Sequence, residues 1–185
     1  MRKNIVASAL IAGTVAVLTL PLPASAATCA AGIGCTTPVT IQINGGGLEI
    51  NVPTASVPLL PDRVASTGNQ TVSANLGDVT VTDGRAGTAG WVASAHADDF
   101  TGGTSTTITV STVGQSSYTT PAATTTGSVT VTPSNLNPLY PGGAVQTATA
   151  VSGINTATWD PTISVTIPGG TLAGSYSSTV THSVI

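Results

Sequence analysis

Beyond residue 37 the chain alternates apolar and polar side chains with a period of two. Val39, Ile41 and Ile43 flank Thr40 and Gln42; Leu48, Ile50 and Val52 flank Glu49 and Asn51. Val79 and Val81 alternate with threonines, as do Ile108 and Val110, and Ile163, Val165 and Ile167 alternate with Ser164 and Thr166. A period of two puts branched aliphatics on one face and hydroxyls on the other, the pattern of strands with a single buried face. Such one-sided strands suit antiparallel sheets, because parallel sheets are covered on both faces. No window carries a helical stripe, and the abundant threonine disfavours helix while fitting strands.

Further strands are expected over residues 70–76, 90–95, 128–132, 145–151 and 175–184. In the last of these, Tyr176, Val180 and Val184 share a face with His182. Turns are marked by the glycines after Asn44, by Asp83-Gly84, by Thr101-Gly102-Gly103 and by Pro168-Gly169-Gly170. The Ser/Thr-rich stretches 101–107 and 116–128 read as exposed loops, with 116–126 the most credible long excursion. About ten short strands separated by Gly/Pro turns predict an all-β fold, a single antiparallel β-sandwich, immunoglobulin-like or irregular, with little helix. With few aromatic residues, the core must be filled by Val, Ile, Leu and Ala. Trp91 and Trp159 are then either its anchors or exposed plates.

The first residues follow another rule. Arg2 and Lys3 precede an apolar run from Ile5 to Leu20, then Pro21 and Pro23, then Ala24-Ser25-Ala26. That order matches a secretory signal peptide, and the run is too short for a bilayer span. Three segments follow: a leader at 1–26, a cysteine-bearing segment at 27–38 and a β-domain at 39–185. Removing the leader moves the formal charge from −3 to −5, with Arg63 and Arg85 facing seven acids. Such a chain cannot gain affinity by neutralising phosphates, so nucleic acid is excluded as a partner. It also has no polybasic patch to hold it to a membrane.

Cys29 and Cys35 in an exported chain imply a disulfide. The loop is short, so the bridge restricts the unfolded chain by only about 2 kcal/mol. Enzyme signatures are missing: there is no nucleophile elbow, zinc-binding His-Glu-x-x-His, phosphate-binding glycine loop or Cys-x-x-Cys. His96 and His182 are the only imidazoles; a serine-histidine-aspartate site can be imagined around His96 and Asp98, but sequence order does not establish the contacts of about 3 Å that it needs, and a structural or surface histidine explains each better. Asp98 and Asp99, with Asp83, could offer oxygen ligands to calcium, but no calcium-loop pattern surrounds them, and solvated acids explain them better. Asn69-Gln70-Thr71 forms a glycosylation sequon. No catalytic residue, metal or cofactor is expected.

Two stretches carry a family likeness. One runs from Leu76 through Asp78-Val79-Thr80-Val81-Thr82-Asp83-Gly84-Arg85 to Trp91-Val92-Ala93, with Asp99-Phe100 beyond. The other is Thr158-Trp159-Asp160-Pro161, followed by Ser175-Tyr176 and Thr181-His182-Ser183-Val184. Together they resemble the WxL-domain family of bacterial surface proteins, in the form seen in high-GC Gram-positive bacteria. The chain has Trp91-Val92-Ala93 where the family has Trp-x-Leu, and Thr181-His182-Ser183 where a later motif carries tryptophan. The resemblance implies an exported all-β domain that associates non-covalently with the cell wall through peptidoglycan or another wall polymer, without catalysis or cofactor. It also implies a part in attachment for Trp91. Sugar faces stack on aromatic plates, which makes Trp91 and Trp159 the candidate ligand-binding residues. The alternative is a secreted structural or protein-interaction subunit that packs against other surface proteins without touching the wall.

Overall fold

The computed structural model describes residues 28–102 and 106–185; the leader expected over 1–26 and the tip of the 101–107 stretch lie outside these residues. Contacts divide the chain into Met1–Gln42 and Ile43–Ile185. In the first unit the described residues form no strand. Cys29 and Cys35 are bonded as expected, with their Cα atoms 5.9 Å apart.

The strand expected at Val39–Ile43 is absent, and all three aliphatics are exposed, at 90%, 88% and 82% for Val39, Ile41 and Ile43. Alternation marks a segment able to form a strand, whereas forming one also takes an edge to pair with. The second unit begins at Ile43.

The second unit is all-β and sandwich-like, with no helix among the described residues. Its strands are β1 (Leu48–Asn51), β2 (Gln70–Asn75), β3 (Val79–Asp83), β4 (Trp91–Ala97), β5 (Phe100–Gly102), β6 (Thr106–Ile108), β7 (Ser116–Thr119), β8 (Thr124–Pro133), β9 (Gly143–Trp159), β10 (Thr162–Ile167), β11 (Tyr176–Ser177) and β12 (Val180–Val184). Every pairing between them is antiparallel.

β9 organises the large sheet. On one side β8 follows it from Thr124, opposite Thr158, to Pro133, opposite Gln146. On the other side two strands share its length: β3 pairs with residues 155–159 and β4 with residues 143–148. β3 and β4 therefore lie in line, interrupted by residues 84–90. β1 continues outward from β3, and β12 from β4. Where its partner changes, β9 carries Ala150 at φ 51° and Gly153 at φ 76°. The buried positions change phase there, from Val145, Gln146 and Ala148 to Asn155, Ala157 and Trp159.

A second sheet runs β2–β10–β7, and a third, short one runs β11–β5–β6. One core joins their inner faces. Val79, Val81, Trp91, Val145 and Trp159 come from the large sheet, and Val72, Tyr118, Ile163 and Val165 from the second.

Three segments of this unit differ from the sequence reading. The 101–107 stretch, expected as a loop, contributes residues 101–102 to β5 and 106–107 to β6, paired with each other. Residues 116–126 are not an exposed excursion: Ser116 and Tyr118 are buried on β7, and β8 begins at Thr124. The Ser116 hydroxyl donates to the Val110 carbonyl at 2.7 Å and accepts from the Leu139 amide at 2.9 Å, so a polar residue is satisfied inside. The final strand is also two pieces, β11 in the short sheet and β12 in the large one. Val180, His182 and Val184 do share the half-buried face.

Candidate functional site

The two tryptophans were the sequence's candidate ligand plates, and the structure places both in the core. Trp91 and Trp159 are each 2% exposed, so neither ring is open to a sugar. Each indole N–H, once buried, needs an acceptor. Trp91 Nε1 donates to Asn155 Oδ1 at 3.2 Å, and Asn155 Nδ2 donates to Asp83 Oδ2 at 3.3 Å. Arg85 closes this network with a fork onto Asp83, Nε to Oδ1 at 2.8 Å and a terminal nitrogen to Oδ2 at 2.9 Å. The paired guanidinium holds the Asp83 carboxyl below the usual carboxylate range. Arg85 also donates to the carbonyls of Ala89 and Gly90, both at 3.1 Å, which ties the 84–90 break to the start of β4. Asp83 is committed to this network and Asp99 accepts the Val110 amide at 2.8 Å, so the acids weighed for calcium do different work. Among the described residues no group of His, Cys, Asp and Glu could hold a metal ion.

Trp159 Nε1 donates to Tyr118 Oη at 3.4 Å, and Tyr118 Oη lies 2.8 Å from His182 Nε2. With the indole supplying one proton to the phenol oxygen, the phenol hydrogen is free to point at His182. The imidazole is then neutral and protonated on Nδ1. Burial raises the Tyr118 pKa. It also pushes His182 down to about 4, helped by the charge of His96. A phenol and an imidazole so shifted, without a nucleophile or carboxylate in the chain of bonds, hold β7, β9 and β12 together.

The open sites lie beneath the connection from β1 to β2, residues 52–69, which contains Pro53, Pro58 and Pro61. A cavity of about 520 Å³ lies between residues 56–66 and residues 168–178, lined by Leu59, Phe100, Ile108, Ile167 and Tyr176. A second, of about 340 Å³, shares Val57, Leu59 and Phe100 with it and reaches His182. Leu60 pins the connection by exchanging two backbone bonds with Ser73, at 3.0 and 2.9 Å, and Arg63 donates to the Thr71 carbonyl at 2.7 Å. At the far rim, Gly169 packs so closely on Thr67 that a Cβ would lie 2.1 Å from its carbonyl oxygen. Asn69 of the sequon accepts the Gly169 amide at 3.0 Å, a bond that helps close this rim.

Phe100 and Tyr176 are the half-buried rings in this groove; the sequence reading placed both in the family likeness but made neither a ligand-binding candidate. The available signal was the length of the proline-bearing connection, since long irregular segments in compact domains are often functional. No family model, curated protein or solved structure matches the chain.

Proposed function

We propose that this chain is a non-catalytic, exported surface protein of the WxL type that associates non-covalently with the bacterial cell wall, through peptidoglycan or another wall polymer. The observation that supports it is the groove under residues 52–69. It is open to solvent, and its lining includes the half-exposed rings of Phe100 and Tyr176. Its rim offers the hydroxyls of Ser56, Ser66 and Thr171 with Asp62 and Arg63. Glycans present alternating apolar faces and hydroxyls, which such a surface can cover. Contact is assigned to Phe100 and Tyr176 in place of the two buried tryptophans.

The test is co-sedimentation with purified peptidoglycan and with walls stripped of teichoic acid. Tyr176→Ala and Phe100→Ala should each weaken retention at least about tenfold while cooperative unfolding persists. Failure of the folded wild-type protein to bind either material would sink the reading. The alternative, a secreted structural or interaction subunit without wall contact, is favoured by one separate feature, the outer edge of β8, which pairs with no strand among the described residues.

A further inference from the structure

We propose that the smaller cavity is a binding site for an alkyl chain, and that the ligand of this face is a glycolipid, with its sugar head in the larger cavity and its chain in the smaller one. The inference rests on the sugar contact proposed for the larger cavity and adds a second part to the ligand.

The two cavities adjoin at Val57, Leu59 and Phe100, which line both. Their other walls differ in chemistry. The larger has Asp62, Arg63 and several hydroxyls, groups that suit a sugar. The smaller has no aspartate, glutamate, lysine or arginine in its lining, and burial keeps its one titratable side chain, His182, neutral. Of its hydroxyl residues, Thr54, Ser56 and Thr179 are exposed, and Ser178 is committed to the Asp98 carbonyl. A charged ligand would lose hydration there without gaining a partner, whereas an alkyl chain has no such hydration to lose. Protein interiors are close-packed, with few voids larger than a water. Here about 340 Å³ stays open beside the core. Leu59, Leu76, Phe100 and Val180 pack against the buried cluster and yet are only partly covered. An alkyl chain in this space completes a layer that the protein's own side chains leave unfinished.

The structure also gives the chain a way in. Residues 52–57 and Leu59 form one wall of the smaller cavity. Among the described residues no backbone hydrogen bond ties 52–59 to the sheets; the pins of this connection, Leu60 to Ser73 and Arg63 to Thr71, come after it. Val57 and Leu59, two positions apart, are half-buried, while Ser56, Pro58 and Leu60 are exposed. A segment held only by the cover of its side chains opens at low free-energy cost. The ligand's chain therefore enters by lifting residues 52–59, with every strand pairing left intact.

The test is calorimetric titration of the folded protein with methyl, butyl, hexyl and octyl glucoside, each below its micelle-forming concentration, and with octanol. Affinity should rise about fourfold with each added methylene until the smaller cavity is full, the gain expected when a methylene is buried. Ala55→Trp, at an exposed position that lines only the smaller cavity, should abolish this dependence and leave retention on walls unchanged. Val180→Phe fills the same cavity from β12 and should do likewise if Ala55→Trp disturbs the fold. Tyr176→Ala, which alters the larger cavity alone, should weaken every glucoside by one common factor and keep the dependence. No binding of octyl glucoside, or equal affinity across the four glucosides, overturns the inference and leaves wall binding standing. A chain-length dependence that persists in both filled variants overturns it too, by placing the chain elsewhere. Octanol binding as tightly as octyl glucoside overturns the glycolipid and removes sugar contact from the larger cavity as well. A wild type that shows the dependence but is not retained on walls supports the inference and sinks wall binding alone.

Discussion

His182 gives the domain an acid-sensitive stability confined to one pH window. Its Nε2 accepts from Tyr118 in a setting that lowers the imidazole pKa to about 4, through burial first and the charge of His96 second. The unfolded chain titrates near 6.5, so below that pH it binds a proton that the folded chain refuses. The stability associated with the neutral ring is therefore complete above about pH 6.5 and is lost as pH falls from there through about 4. Linkage between those two values gives about 2 kcal/mol at pH 5. His182 is only half-buried and lines the smaller cavity, so solvent screening reduces this to about 1–2 kcal/mol. For a domain of this size that is a fall in Tm of about 2–8 °C.

Urea unfolding at pH 7, 6, 5 and 4.5, on wild type and His182→Leu, measures it. Wild type should lose its increment progressively across the series. The variant should start about 1 kcal/mol lower, because Tyr118 has lost its partner, and then stay level over the same range. Asp83 does not interfere. Its carboxyl is held below the usual range by Arg85, so its contribution is present above the unfolded value near 3.8 and fades only below it. A wild-type profile that is flat from pH 7 to 4.5, or a variant with the same slope as wild type, would refute the account.

Trp91→Ala and Trp159→Ala should each cost about 3–5 kcal/mol in urea unfolding, as expected of rings inside the core. Trp91→Phe should cost about 1–3 kcal/mol, since it keeps most of the ring but leaves Asn155 Oδ1 without its donor. Asp83→Ala, which strands Arg85 and Asn155 together, should cost about 1–3 kcal/mol, with Arg85 part-exposed and partly rehydrated. Deleting residues 175–185 removes all five partners of β4 along β12, and cooperative thermal unfolding should disappear; a well-folded truncated monomer would contradict the register. Intact mass without reductant should fall about 2 Da below the reduced form, two thiol hydrogens being lost from Cys29 and Cys35.

Alternation located β1, β3 and β10 almost to the residue because each has a single buried face and branched side chains on it. β9 was harder. Its alanines, serines and threonines give a faint pattern, and the bulge at Ala150 changes the buried phase halfway, so a seventeen-residue strand was anticipated as residues 145–151. Residues 116–119 resembled a loop because serine and threonine carry no hydropathy signal. What places Ser116 inside is a pair of hydrogen bonds to distant backbone, invisible along the chain. The disulfide followed from cysteine count and spacing. The burial of the tryptophans did not, since a ring's exposure depends on which sheet closes over it. Phe100 and Tyr176 come to line one cavity because β11 pairs with β5, a contact between residues more than seventy positions apart.

The in-line arrangement of β1 and β12 has a mechanical consequence. Both run antiparallel to the β3–β4 line, and they touch end to end: Ile185 exchanges backbone bonds with Val92, and the Gly84 amide donates to the Gly47 carbonyl. The entry to β1 and the exit from β12 therefore lie side by side midway along the sheet. Tension applied through these two points would peel both strands away from the centre outward, breaking cross-strand bonds a few at a time rather than shearing them all together. A load carried through these two points thus meets the fold in its weakest direction, whereas tension running along β8 and β9 would be shared by the longest ladder in the molecule.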